Sequence, residues 1–190
     1  MKRKAVALFL AIFLFTGLAY SEEVHLLFED EDRDIAFACS INFPVIPDYY
    51  DSKRVDGETC TLLVYDMGDL IIATDEDTGI HYIAMLYYPY YYTGSERSAK
   101  VENTALSWIE KEISQEPEVI SREDISFPNG LSMAVLKKEY EEENQYSAKA
   151  IWYNADFCIS LTAIGEDTAV NRLSIDTYVA SLELDYEYDT

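Results

Sequence analysis

Between Leu131 and Leu184 three apolar runs follow one another with almost nothing between them. Leu131–Glu141, Tyr146–Tyr153 and Phe157–Ile164 each read as a strand, joined by the polar turns Glu142–Gln145 and Asn154–Asp156. A parallel crossover needs a dozen residues or more, so connections this short make the three strands antiparallel neighbours. The third strand feeds a helix over Thr168–Leu182, with Ile175, Tyr178, Val179 and Leu182 as its apolar stripe and Asp167 as its expected cap. Leu182-Glu183-Leu184 is then expected along a sheet edge. Phe157, Ile159, Leu161 and Ala163 share one face of the third strand, while Cys158, Ser160, Thr162 and Ile164 share the other. Both sets can be buried, so both faces are expected to be covered. This segment specifies a fold and leaves the activity open.

The upstream chain adds strands to the same sheet. Ile35–Phe43 alternates large and small residues and stops at Pro44 and Pro47, before the polar loop Asp48–Gly57. Glu58–Tyr65, Leu70–Thr74 and Ile80–Tyr88 follow, turning at Met67–Asp69 and Asp75–Gly79, as in an antiparallel meander. Thr93 and Glu96 have capping-box spacing, and the helix they open is expected to run to Glu116 and stop at Pro117. Its inward stripe is Val101, Ala105, Trp108, Ile109, Glu112 and Ile113. Val119–Phe127 is a further strand, ended by Pro128-Asn129-Gly130. The expected class is α+β: a central antiparallel sheet with helices on both faces, in one domain over 35–184.

The ends read differently. Lys2, Arg3 and Lys4 precede an uncharged run from Ala5 to Leu18, and Ala19-Tyr20-Ser21 suits a cut before Glu22. Residues 1–21 thus have the layout of a secretory signal peptide, too short in its apolar run for a membrane span. The expected location is periplasmic or extracellular. Residues 22–34 form an acidic segment whose Val24, Leu26, Leu27 and Phe28 can lie on the domain while its end frays, and 185–190 form a tail. Losing Lys2, Arg3 and Lys4 takes the net charge from −22 to −25. A charge of this sign disfavours a phosphate-backbone ligand and an anionic membrane surface, and suits basic partners or divalent cations. Cys39, Cys60 and Cys158 are an odd set. Cys39–Cys60 is the nearest pair for a bridge, and the apolar strand face around Cys39 fits a buried thiol equally well.

The order of elements carries a resemblance. Ile41-Asn42-Phe43-Pro44 ends the first strand, Ile125-Ser126-Phe127-Pro128-Asn129-Gly130 precedes the three long strands, and Tyr178-Val179-Ala180-Ser181-Leu182-Glu183-Leu184 closes the last helix. Over Ile35–Leu184 the chain resembles the PsbP-like α/β/α sandwich superfamily, in particular its small exported bacterial members. The resemblance implies a sheet with helices on both faces and a non-catalytic binding or accessory role. The basic docking residues of the plant members have no matching motif here. A cystatin-like or nuclear-transport-factor-like curved sheet over a helix is the alternative architecture.

Candidate chemistry is sparse. Tyr87, Tyr88, Tyr90, Tyr91 and Tyr92 crowd one strand end around Pro89. Phenols give rigid contact area with a polar tip, so Tyr87, Tyr90, Tyr91 and Tyr92 are the candidate contacts for an unidentified protein or small ligand. The competing reading is that they plug the end of the sheet. Asp75–Gly79 resembles half of a calcium loop, but its glycine comes one residue early, and a hairpin turn fits better. His25 and His81 lack zinc-pair spacing, and no nucleophile elbow, P-loop or C-x-x-C occurs. No cofactor, metal site or catalytic residue is therefore expected. The alternatives are a hydrolase using acidic residues in a cleft, and weak divalent-cation capture by the acidic surface.

Overall fold

A computed structural model describes residues 22–28, 37–50, 53–54, 60–63, 69–89, 91–128 and 130–185. The expected signal peptide, the acidic run 29–34, Tyr90 and residues 186–190 lie outside that set. In chain order the strands are β1 (Glu22–Phe28), β2 (Phe37–Phe43), β3 (Tyr49–Tyr50), β4 (Lys53–Arg54), β5 (Cys60–Leu63), β6 (Asp69–Asp75) and β7 (Ile80–Tyr87). They continue as β8 (Val119–Ser126), β9 (Ser132–Tyr140), β10 (Gln145–Tyr153), β11 (Cys158–Glu166) and β12 (Glu183–Asp185). Helix α1 spans Gly94–Ile113 and α2 spans Ala169–Val179.

The class is α+β, but the strands divide between two sheets. The larger has seven strands in the order β3-β6-β7-β11-β10-β9-β8, all antiparallel. The three long strands after Leu131 sit side by side in it as expected, because their turns are tight. Asn144 closes the first turn at φ 52°, and Asn154 closes the second by accepting from the Asp156 and Phe157 amides. The smaller sheet has five strands in the order β12-β2-β1-β5-β4, with β1 and β5 parallel.

That second sheet corrects the meander. β2 and β5 do not pair, because β1 lies between them. Val24 and Leu26 do lie on the domain, fully buried, and the strand that carries them is central in its sheet rather than a fraying end. The same register removes the Cys39–Cys60 bridge. Leu26 of β1 stands opposite Cys39, and Val24 opposite Cys60. Two strand spacings of about 4.8 Å each, and a two-residue stagger along β1, separate the cysteine backbones, well beyond the ~7 Å that a disulfide spans.

The apolar residues form two clusters. One joins Val24, Leu26, Ile41 and Phe43 of the small sheet to Tyr82, Leu86, Ala150, Trp152 and Leu161 of the large one, with Ile175, Tyr178 and Val179 of α2 among them. The other joins Val101, Ala105 and Ile109 of α1 to Ala134, Leu136, Ile151 and Cys158. Alternate residues of β10 go to different clusters, as the two-residue period of a strand dictates.

Helix ends differ from the spacing rules. α1 stops at Ile113 rather than Glu116, and Ile113 is exposed. Thr93 is its N-cap, but the Thr93 side chain makes no capping bond. For α2 the cap is Thr168, whose hydroxyl accepts from the Asn171 amide at 3.1 Å. Asp167 instead accepts from Arg172, which also donates to Glu139 at 2.6 Å.

Candidate functional site

The tyrosine stretch is split by depth. Tyr87 ends β7 half-buried and packs against the cluster under α1. Tyr88 is 1% exposed. Tyr91 is 77% exposed, and Tyr92 is half-buried with the Lys100 ammonium 4.0 Å from its ring centroid. The side chain of Tyr90 is outside the described residues. Tyr87 and Tyr88 thus pack inward, while Tyr91 is mostly exposed.

What fixes this loop is Arg97, which reading the sequence missed. It is 2% exposed, in the first turn of α1. Its Nε donates to the Tyr92 carbonyl at 2.7 Å, and its guanidinium lies 4.9 Å from the Tyr88 ring centroid. A terminal nitrogen is 3.6 Å from Asp156, in the β10–β11 turn. A buried guanidinium needs partners on several sides, and its planar fork supplies bonds in fixed directions. The signal was available: Arg97, Val101, Ala105 and Ile109 fall at four-residue steps, so Arg97 extends the apolar stripe.

A second polar group lies under the far end of α1. Glu112 meets Lys149 at 2.7 Å and Lys138 at 3.3 Å, and Lys138 also donates to the Gln115 carbonyl at 3.0 Å. Burial pushes the Glu112 carboxyl up, but the bond and charge of Lys149, with the charge of Lys138, outweigh it and hold the group below the ordinary carboxylate value. Both lysines are spent on one carboxylate, so this group fastens the helix and offers no open charge to a ligand.

The remaining candidates are structural. Asp75 accepts from the Asp77 amide at 3.0 Å and from the Thr78 hydroxyl at 2.6 Å, so its carboxylate closes the hairpin turn. His81 Nδ1 is 3.2 Å from the Thr74 hydroxyl, and His25 lies 3.7 Å from Glu23. Burial pushes the Cys158 thiol far above its usual value, so it is no thiolate nucleophile at neutral pH. No group of three or more metal-ligating side chains occurs among the described residues. No helix among them is long and apolar enough to cross a membrane.

An open groove of about 670 Å³ lies where β8 begins and β9 ends, lined by Glu116, Glu118, Ile120 and Glu139 through Glu143. Apart from Glu139, which Arg172 holds, its carboxylates are exposed. Compared with family profiles, with curated proteins and with solved structures, the chain matches none.

Proposed function

We propose that the chain is an exported, non-catalytic binding or accessory protein, with the rim around Tyr91 and Tyr92 as its contact surface. One observation carries this reading: a buried arginine immobilises a loop that leaves a large aromatic ring in water. Ordering a loop costs conformational entropy, and pre-setting it removes that cost from binding. Exposed tyrosine on a fixed backbone is the type of group that dominates interfaces. Tyr87 is withdrawn from the contact set, because its ring supports the helix.

The PsbP-like α/β/α arrangement belongs to the same proposal. It is supported by the seven-stranded antiparallel sheet and by the sharing of β10 residues between the clusters of α1 and α2. The five-stranded second sheet departs from it. The hydrolase alternative has no observation in its favour, since the groove carboxylates stand in solvent. The experiment is retention of exported proteins by the immobilised chain and by Tyr91→Ser with Tyr92→Ser. The proposal expects a component held by the first and lost by the second at equal melting temperature. Identical retention would contradict it.

A further inference from the structure

We propose a second docking surface: β8 receives an extended, lysine- or arginine-rich segment of another protein as an additional strand. β8 pairs with β9, and no described strand pairs with its other edge. It is eight residues long, contains no proline, and exposes almost every side chain on both faces. Such an edge presents a row of unpaired amide and carbonyl groups, which is a template for another strand.

The occupant is chosen by charge. Along β8 the one cation, Arg122, is consumed by Asp124 in a two-pronged bond at 2.8 and 3.0 Å, which leaves Glu123 unmatched on this strand. At the start of β8 an acidic groove opens between this strand and the end of β9, with Glu116, Glu118, Glu141, Glu142 and Glu143 around it and no lysine or arginine among its lining residues. Ile120 is 52% exposed at a register shift between Val119 and Ser121 and gives the groove an apolar wall. A second copy of this chain brings the same net charge of −22 and is repelled. A strand alternating cationic and apolar residues gains backbone bonds along β8, charge pairing with Glu123 and with Glu116 and Glu118 where the chain enters β8, and cover for Ile120.

The probe is a labelled, end-blocked peptide alternating lysine and valine, matching the eight residues of β8, added to the full chain. Saturable binding is expected, weakening about tenfold or more between roughly 0.05 and 0.5 M salt. Amides of β8 should gain hydrogen-exchange protection in the complex. The same peptide N-methylated along one edge keeps its charge but cannot donate, and it should bind about tenfold more weakly. Glu116, Glu118 and Glu123 are exposed, so changing all three to Gln should weaken binding without altering the melting temperature. Tyr91→Ser should leave the affinity unchanged, which keeps this result separate from the tyrosine surface. Equal binding of the methylated peptide, protection elsewhere than β8, loss of binding in Tyr91→Ser, or no binding at about millimolar peptide would each overturn the proposal.

Discussion

The Arg97 guanidinium lies over the Tyr88 ring, 4.9 Å from its centroid, with both side chains withdrawn from water. A lysine there would keep the charge and lose the fork that also reaches the Tyr92 carbonyl. Arg97→Lys is expected to cost about 1–2 kcal/mol in urea unfolding, the scale of a lost charge-assisted bond in a buried site. Asp156→Asn removes a carboxylate that is half in solvent, and it should cost less than about 0.5 kcal/mol. Equal effects of the two changes would mean that the ion pair, and not the loop contacts, holds Arg97.

The two helix caps should separate cleanly. Thr168→Ala removes the hydroxyl that accepts from Asn171 and should cost about 1 kcal/mol. Thr93→Ala removes no capping bond and should stay within about 0.3 kcal/mol. Thermal melts of the two variants measure this directly.

Glu112 and its lysines predict an asymmetry with a definite pH sign. Glu112→Gln leaves Lys138, 2% exposed, without its counter-charge, and is expected to cost about 2–3 kcal/mol. Lys138→Met leaves Glu112 its bond to Lys149 and fills the site with an apolar chain, so about 1 kcal/mol or less is expected. The folded-state carboxyl titrates below its ordinary value of 4.5. The stability it contributes is therefore complete above that value and is lost as pH falls through the lower, folded one. Denaturation midpoints of the parent and Glu112→Gln should converge as pH falls below the lowered, folded-state value.

Buried phenols set the alkaline limit. Burial, with the Asp75 charge adding to it, pushes Tyr82 up to about 12, and burial also raises Tyr178 well above the ordinary phenol value. An unfolded tyrosine ionises near 10.0, so above that value the unfolded chain gives up protons that the folded chain keeps. Stability is full below about pH 10 and falls as pH rises towards 12. Absorbance titration should show an early class of the 16 tyrosines, with the rest ionising only on unfolding. The Tyr178 hydroxyl is buried and finds no hydrogen-bond partner among the described residues, so Tyr178→Phe should raise stability by about 1 kcal/mol.

The legible part of the fold was the part with local causes. Tight turns placed β9, β10 and β11, and the four-residue period placed the inward side of α1. The same period even carried Glu112 inward, although its two lysines come from strands 26 and 37 residues away. What periodicity cannot carry is pairing between distant segments. β1 reads as an acidic terminus because its insertion between β2 and β5 is decided by long-range contacts. At the tyrosine loop, composition marked the residues, but which ring faces water depends on Arg97 reaching back from the next helix. Capping failed for a related reason: the spacing of Thr93 and Glu96 was right, and the hydroxyl makes no capping bond.

The claim on which the functional reading rests is that Tyr91 is displayed for contact while Tyr88 is held inside. Nitration followed by mass spectrometry, run alone and with a fraction of exported proteins from the same source, measures both halves. The account predicts rapid labelling of Tyr91, slow labelling of Tyr88, and protection of Tyr91 by that fraction. Tyr88 labelled as fast as Tyr91, or Tyr91 labelled at the same rate with and without the fraction, would contradict it.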